Sequence, residues 1–207
     1  AHQADDQAET VLMQLLRGSG TAGLGGMQTE TGRLVRPFLF VQRSEIEAYC
    51  RERGLQFCND STNEDVRYTR NRIRKELLPY LEKSFNPRVI TALGNTAQLA
   101  RADNDFAAYH AQVFYNQNVK ANGKLLECRA EALKAEFAAV SRCVVRMMWE
   151  KMAACGSELG FEHVEAVLGL LKNGSSGKML ALPGKAAAAY FYGRLYVGTR
   201  QDIINLI

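Results

Sequence analysis

A long helical pattern in the middle of the chain is the sequence feature that most constrains the fold. Asn86-Pro87 is a favourable helix start, and apolar residues then recur at helical spacing to about Tyr115. The predicted secondary-structure elements differ on the two sides of this pattern. We therefore predict a first part over residues 1–88, a linker helix over residues 89–115, and a second part over residues 116–207.

The composition is that of an ordinary globular chain. Of its 207 residues, 47% are hydrophobic and 23% are charged, which excludes a disordered or collagen-like chain and provides enough apolar material for one or two cores. No apolar run approaches the roughly 18 residues that a membrane span requires, so we expect a soluble protein. The five cysteines are odd in number and contain no CxxC pair. This argues against a disulfide framework and against a zinc or iron–sulfur site, and favours reduced, buried thiols in the cytoplasm.

Periodicity and turn residues predict the elements of the first part. Asp5 and Asp6 open an amphipathic helix that Gly18 ends, and the stretch Gly18–Gly26 is too rich in glycine for a helix or strand interior. The other predicted elements are a short strand over 34–40 weakened by Pro37, a helix with a capping box from Ser44 to Glu47 that Gly54 closes, a turn over 59–63, and a helix from Thr69 that Pro79 restarts or kinks.

The second part is predicted to be mainly helical, with a small antiparallel sheet. A short strand around Leu125 is followed by helices over 138–154 and 161–171. Three short apolar runs then alternate with Gly184 and Gly193, which predicts strands that end in a C-terminal β-hairpin. The whole chain should be helix-rich.

Three carboxylates lie within five residues at the start of the first predicted helix, in His2-Gln3-Ala4-Asp5-Asp6-Gln7-Ala8-Glu9-Thr10. Asp6 and Glu9 are one helical turn apart on the same side, so together they can bind an ammonium group or a metal ion. Acids at a helix N-terminus are also favoured by the backbone dipole, by about 0.3–1 kcal/mol each, without any ligand. Spacing alone leaves both interpretations open.

Positive charge is concentrated between Arg67 and Arg88. Seven basic residues and two acidic ones give this segment a net charge of +5, within a chain whose net charge is +4. In the run Arg70-Asn71-Arg72-Ile73-Arg74, Arg70 and Arg74 share a helix face, and guanidinium groups bind phosphate or carboxylate oxygens in pairs. A solvated basic surface would give the same pattern, so the segment by itself does not decide between the two.

These motifs, in this order, resemble those of bacterial tRNA(Ile)-lysidine synthetases. The resemblance is carried by the acidic motif, by Leu15-Leu16-Arg17-Gly18-Ser19-Gly20, by Arg36-Pro37, and by three later stretches: Arg43-Ser44-Glu45-Ile46, Asp60-Ser61-Thr62-Asn63 and the Arg70–Arg74 run. It is close over about the first 80 residues. The remainder resembles the helical domain that follows the catalytic domain in that family, with much lower specificity.

The resemblance implies a fold, a reaction and a site. The fold is the C-terminal portion of an α/β PP-loop ATP-pyrophosphatase domain over residues 1–88, followed by a mainly helical α+β domain that binds tRNA. The reaction uses ATP to adenylate the wobble cytidine of an isoleucine tRNA with a CAU anticodon, after which L-lysine displaces AMP. By correspondence of motifs, Asp6, Glu9 and Arg74 are catalytic lysine-site residues. We expect the charged and polar residues beside them in the same two motifs to bind substrate, namely His2, Asp5, Arg70 and Arg72. Mg²⁺ is expected to accompany ATP, no metal ligand is assigned, and a homodimer is left open.

One departure from the family pattern limits this expectation. The family's SGGxDS phosphate-binding loop precedes the acidic motif and does not occur in these 207 residues. We therefore expect the chain to be a piece of a longer protein that is inactive by itself. Two alternatives are a related PP-loop tRNA thiolase, for which the chain lacks paired CxxC ligands, and a non-catalytic RNA-binding helical module, for which Asp6 and Glu9 would have no use. Arg101, Arg142 and Arg146 are candidate tRNA contacts.

Overall fold

The structure is a computed structural model that describes residues 2–56, 67–153, 157–174 and 177–206. The chain divides into two compact units, Ala1–Asp105 and Phe106–Ile207. The prediction of a helix-rich chain with a small antiparallel sheet is confirmed. Within the described ranges, no helix is both long enough and apolar enough to cross a membrane. Of the predictions above, the turn over 59–63 and two of the cysteines, Cys58 and Cys155, lie outside the described residues.

Unit 1 is helical, with one two-stranded ribbon. Its elements are α1 (Ala4–Leu16), α2 (Thr21–Leu24), β1 (Glu30–Thr31), β2 (Leu34–Val35), α3 (Arg43–Glu52), α4 (Thr69–Arg72), a π-helical segment (Ile73–Leu77), α5 (Leu78–Ser84) and most of α6 (Val89–Asn118), which continues into unit 2. The apolar stripe of α1 packs against the π-helical segment and α5, with Ala8, Leu12, Ile73 and Leu78 buried together. This packing holds the start of α1 beside the basic segment.

The glycine-rich stretch is more ordered than predicted, since it contains the short helix α2. Its far end is fixed by the side chain of Gln7, which donates to the carbonyl oxygen of Met27 over 3.1 Å and accepts from the Met27 N–H over 2.8 Å. Gly26 has φ +60° beside this amide, and a Cβ there would lie 2.7 Å from the Gln7 Oε1. Glycine is therefore required at residue 26 by conformation and by space.

Two further predictions for unit 1 were wrong in detail. The strand predicted over 34–40 is limited to Leu34–Val35, because Pro37 has no N–H to continue a ladder. Helix α3 begins at Arg43, and its capping box joins Gln42 to Glu45, whose Oε2 accepts from the Gln42 N–H over 2.9 Å. The predicted partner Glu47 instead accepts from Arg43 Nε over 2.7 Å.

The basic segment is continuous through Pro79. Helix α4 passes into the π-helical segment and then into α5, where Pro79 lies in the first turn and needs no N–H partner. The predicted interruption at Pro79 is therefore replaced by one wide turn over Ile73–Leu77. Such wide turns are rare and are found mostly at functional sites.

Unit 2 is built around a five-stranded antiparallel sheet in the order β3-β4-β7-β6-β5. Its elements after α6 are β3 (Val119–Asn122), β4 (Leu125–Arg129), α7 (Ala130–Ala135), α8 (Ala138–Glu150), α9 (Phe161–Lys172), β5 (Lys178–Ala181), β6 (Ala186–Phe191), β7 (Arg194–Thr199) and α10 (Arg200–Ile204). Strand β3, α7 and α10 were not predicted, and α8 ends at Glu150 instead of 154. The predicted C-terminal hairpin is formed by β6 and β7, as part of this larger sheet.

Alternation along β6 and β7 builds two cores. Ala188 and Leu195 face the larger core with α8 and α9, whereas Ala189 and Tyr196 face a smaller one closed by Ile203 of α10. The tight turn between the strands consists of Tyr192 (φ +46°) and Gly193 (φ +75°). Positive φ at both positions is the geometry that matches the twist of a two-residue hairpin.

Three cysteines lie in the described residues, and all three are free thiols. Cys128 is fully buried in unit 2, while Cys50 and Cys143 are partly exposed, so burial is less complete than predicted. Burial raises the pKa of Cys128 to about 11, with nearby Arg194 opposing the shift. At neutral pH Cys128 is therefore a protonated packing residue, and nothing suggests a nucleophile there.

Candidate functional site

Two acidic residues of α1 and two arginines of the basic segment meet in unit 1. Asp6 and Glu9 lie one turn apart on the buried side of α1, and Arg70 in α4 and Arg74 in the π-helical segment reach them from the other side. More than 60 residues of sequence separate the two pairs. We call these four residues the ionic cluster.

Every member of the ionic cluster contacts both members of opposite charge. Arg70 donates from Nε to Glu9 Oε2 over 2.7 Å and from Nη2 to Asp6 Oδ1 over 3.1 Å. Arg74 donates from Nε to Glu9 Oε1 over 2.5 Å, and from Nη2 to Asp6 Oδ1 over 2.9 Å and to Glu9 Oε2 over 3.1 Å. The other oxygen of Asp6, Oδ2, accepts from the Gln3 N–H over 3.0 Å.

Burial makes the charge balance of the ionic cluster important. The Glu9 side chain has no exposed surface, the Asp6 side chain is 12% exposed, and the arginine side chains are 24% (Arg74) and 39% (Arg70) exposed. Within the ionic cluster, two guanidinium groups balance two carboxylates. The hydrogen bond to Glu9 raises the pKa of Arg74, which burial opposes and the charges of Glu9 and Asp6 reinforce. Removing one member would leave a buried charge uncompensated, which is costly.

A small cavity of about 80 Å³ opens beside the ionic cluster. Glu9 and Arg74 form one side of it, and Asp5, Arg43 and Glu82 add further charges. Its apolar wall comes from Leu78, Pro79 and Ile90. A cavity of this size holds a few water molecules or one small polar group. Arg43 and Glu82 were not predicted as site residues, although Arg43 opens one of the stretches that carry the family resemblance.

The predicted substrate-binding residues Asp5 and His2 lie beside the ionic cluster and have structural partners. Asp5 Oδ2 accepts from the backbone N–H of Arg43 over 2.8 Å, which fixes the start of α3 against α1. His2 Nδ1 accepts from Arg36 Nε over 3.2 Å, and Arg36 also donates to the carbonyl oxygen of Gln28 over 2.9 Å. Both residues therefore help to assemble the loops around the site.

Arg72, also predicted to bind substrate, lines a different cavity. This open cleft of about 340 Å³ lies between the end of α1 and the basic segment, and Leu16, Glu76 and Tyr80 also line it. Tyr80 is 57% exposed. Arg72 forms no ion pair with any residue of the described ranges, which leaves its charge available at the cleft.

The three arginines suggested as further tRNA contacts all bind groups of their own unit. Arg101 donates to the carbonyl oxygens of Gly25, Gly26 and Met27 and so holds the glycine-rich stretch. Arg142 pairs with Glu165 over 2.7 Å, and Arg146 donates to the Leu159 carbonyl oxygen over 2.6 Å. Across the described ranges, no group of three or more His, Cys, Asp or Glu side chains is placed to hold a metal ion.

Comparison with known proteins shows which proteins this chain resembles. Residues 1–81 match the model of the PP-loop domain. A tRNA(Ile)-lysidine synthase of Caldanaerobacter subterraneus is 34% identical over 201 residues, which are 97% of this chain and 43% of the relative. Similar enzymes of Solibacter usitatus and of a Nostoc species are 38% and 34% identical over 88% and 90% of this chain, and over 42% and 59% of their own lengths.

The similarity extends well beyond the PP-loop match. The alignments run through both units, while the chain spans about half the length of the curated relatives that it matches. The ionic cluster lies inside the region matched by the PP-loop domain. The chain is therefore similar to tRNA(Ile)-lysidine synthases through both of its units, and its first 81 residues match the PP-loop domain.

Proposed function

We propose that the protein of which this chain forms part is a cytoplasmic tRNA(Ile)-lysidine synthetase. In the first step, the C2 oxygen of the wobble cytidine attacks the α-phosphorus of ATP and pyrophosphate leaves. In the second step, the side-chain amine of L-lysine attacks C2, the C2–O bond breaks, and AMP leaves with the electron pair. The names of the relatives support the reaction, and the ionic cluster supports the place of the amine.

The observation that carries the proposal is the pairing of Asp6 and Glu9 in unit 1, where Glu9 also lines a cavity. Two carboxylates one turn apart present several acceptor sites to the three donors of an ammonium group. The bound amine must lose a proton before it attacks, because the protonated form has no lone pair. A carboxylate that holds the ammonium group is also placed to accept that proton.

Arg74 has a complementary role in this proposal. Its guanidinium group can pair with the carboxylate of the amino acid, or with phosphate charge that develops during adenylation. Asp5 and His2 support the site by fixing α3 and the Arg36 loop. Holding amine and activated base together supplies proximity, which is a large part of the acceleration that such a reaction needs.

ATP and Mg²⁺ belong to the proposal through the family alone. ATP supplies the adenylyl group, and Mg²⁺ neutralises phosphate charge when it is bound. The chain contains no SGGxDS sequence, and we assign neither phosphate nor metal ligands among its described residues. The residues of this chain are assigned to the amino acid and to the tRNA.

The cleft lined by Arg72 and Tyr80 is proposed to contact the tRNA backbone and an unstacked base. Arg72 is unpaired among the described residues, and the segment around it carries the concentrated positive charge. An exposed tyrosine beside an unpaired guanidinium group is the combination that binds single-stranded RNA, by stacking and by charge.

A tRNA-binding measurement over a range of salt concentrations separates these two contributions. We expect Arg72→Gln in the full-length protein to weaken binding and to reduce the slope of log K against log salt by about one. Tyr80→Ala should weaken binding by about 1–3 kcal/mol without changing the slope. Arg33→Gln, at an exposed position between β1 and β2, is the control of equal charge loss. Equal slopes for Arg72→Gln and Arg33→Gln would remove Arg72 from the interface.

The reaction itself is tested with the full-length protein, a tRNA(Ile) transcript with a CAU anticodon, ATP and labelled L-lysine. We expect label to enter the tRNA only in the presence of ATP, together with release of AMP and pyrophosphate. A transcript with uridine at the wobble position should remain unlabelled. In a parallel reaction with a sulfide donor in place of lysine, incorporation of sulfur would indicate the thiolase alternative. Tight tRNA binding without turnover in either reaction would indicate the RNA-binding module.

A further inference from the structure

Asp6 and Glu9, the two carboxylates assigned to the substrate amine, are already bound by arginine side chains. An amine can reach them only if one of these arginines moves. We propose that Arg70 is a resident substitute for the substrate's ammonium group. Its guanidinium group holds positions on Asp6 and Glu9 in the free protein and leaves them when the amine binds. The inference rests on the proposed function and adds a positioning residue to the lysine site.

The occupied carboxylate oxygens favour exchange over addition. Asp6 Oδ1 and both oxygens of Glu9 already accept from guanidinium groups, and the Glu9 side chain is completely buried. An ammonium group added to this set would have to share these oxygens with both guanidinium groups, in a place that water screens poorly. An ammonium group that replaces one guanidinium group leaves the number of cations on the two carboxylates unchanged. The geometry therefore favours a swap of one cation for another.

Arg70 is the arginine that the structure marks for exchange. It makes one hydrogen bond to each carboxylate, whereas Arg74 makes three, including the 2.5 Å bond from its Nε to Glu9. The Arg70 side chain is also the more exposed of the two. Arg70 lies in the first turn of the four-residue helix α4, where helix ends fray most readily, while Arg74 lies in the π-helical segment that continues into α5.

The positions that Arg70 would vacate suit an ammonium group. Its Nε and Nη2 each contact a different carboxylate, Glu9 Oε2 over 2.7 Å and Asp6 Oδ1 over 3.1 Å. An ammonium group has three donors and no fixed plane, so one such group can bridge the same two oxygens. Arg74 still contacts both carboxylates after the exchange. Glu9 is then never left buried without a cation.

The exchange has a consequence for affinity and selectivity. A ligand must compete with Arg70, so its apparent affinity is its intrinsic affinity reduced by the fraction of protein in which Arg70 has moved away. L-Norleucine has a side chain like that of lysine but without the terminal ammonium group, so it offers no side-chain cation and leaves Arg70 in place. Competition with Arg70 therefore lowers the apparent affinity of every ligand for these carboxylates. It also selects ligands with a side-chain amine, because only these can replace Arg70.

The kinetic test uses Arg70→Gln in the full-length protein. With the competitor removed, we expect the KM for L-lysine to fall about tenfold, which corresponds to loss of one charge-assisted hydrogen-bonding partner, while the KM for ATP stays unchanged. Arg70→Lys, which retains a cation of shorter reach, should give an intermediate KM. Arg51→Gln, at an exposed position in α3, is the control of equal charge loss and should match the unmodified protein.

A KM for L-lysine that rises or stays constant in Arg70→Gln would overturn the proposal, and a rise would mean that Arg70 binds the substrate directly. If the unmodified protein incorporates no L-lysine into the tRNA, the proposed function itself is refuted. A second measurement needs no variant, namely the NMR signals of the arginine Nε–H groups during titration. L-lysine should change the Arg70 signal and leave the Arg74 Nε–Glu9 bond intact, whereas L-norleucine should change neither. A response of both arginines, or of neither, would contradict the exchange.

Discussion

Changing Glu9 to glutamine is expected to lower kcat/KM for L-lysine by about a hundredfold or more in the full-length protein. Glutamine keeps the shape of the side chain but removes the charge that holds both guanidinium groups and, in our proposal, the amine. Truncating one partner of a buried charge pair costs about 2–5 kcal/mol, and about 1.4 kcal/mol corresponds to a factor of ten. Lysine incorporation into tRNA at several lysine concentrations is the measurement.

Two further variants make this result specific. Glu52→Gln, at an exposed position in α3, is the matched change from acid to amide and should retain full activity. Asp6→Asn combined with Glu9→Gln should leave no measurable incorporation, and the far-UV circular dichroism should show that the helices persist. Turnover by this double variant at the rate of the unmodified protein would refute the lysine site.

Replacing Leu195 with alanine should destabilise unit 2 by about 2–5 kcal/mol, which is the usual cost of a fully buried leucine. Leu195 lies in β7, between β4 and β6, and its side chain has no exposed surface in the larger core. The ladders to β4 and β6 hold the β7 backbone on both sides, which limits how far the strand can move to fill the space. Denaturant unfolding followed by the fluorescence of Trp149, the only tryptophan, is a direct measurement in this unit.

Tyr192→Asn is the control for this prediction. Tyr192 is 95% exposed in the turn between β6 and β7, and asparagine tolerates its positive φ. We expect the free energy of unfolding to stay equal or to rise slightly. A loss for Leu195→Ala no larger than the change for Tyr192→Asn would mean that the packing around β7 is looser than described.

Long periodic patterns were the most predictable part of the fold. Helices α1, α6 and α9 follow apolar stripes several turns long, so their positions were predicted to within a few residues. Short elements depend on contacts that no local pattern encodes. The strand β3 forms because it pairs with β4, and α2 is followed directly by Gly25–Met27, which the Gln7 and Arg101 side chains hold. The π-helical segment also has no local signal, since its residues suit an ordinary α-helix.

The residues of the candidate site could be selected from the sequence, but their contacts with one another could not. Spacing placed Asp6 with Glu9 and Arg70 with Arg74, and the family resemblance selected them for function. That all four form one neutral cluster follows from how α1 packs on the basic segment, across more than 60 residues of sequence. Asp5 illustrates the converse, because its position in the acidic motif gives no sign that it binds the backbone of Arg43.

The wide turn over Ile73–Leu77 makes the length of this part of the chain significant, and not only its composition. Each residue of an α-helix turns the chain by about 100°. The wide turn accommodates about one residue more than a regular α-helix would use between α4 and α5. A deletion on either side of the wide turn would rotate the residues beyond it by about 100°, so that the buried anchor Leu78 and the guanidinium groups that face α1 would point in different directions. Deletions in the flanking helices α4 and α5 should therefore be tolerated less well than the loss of one residue within Ile73–Leu77.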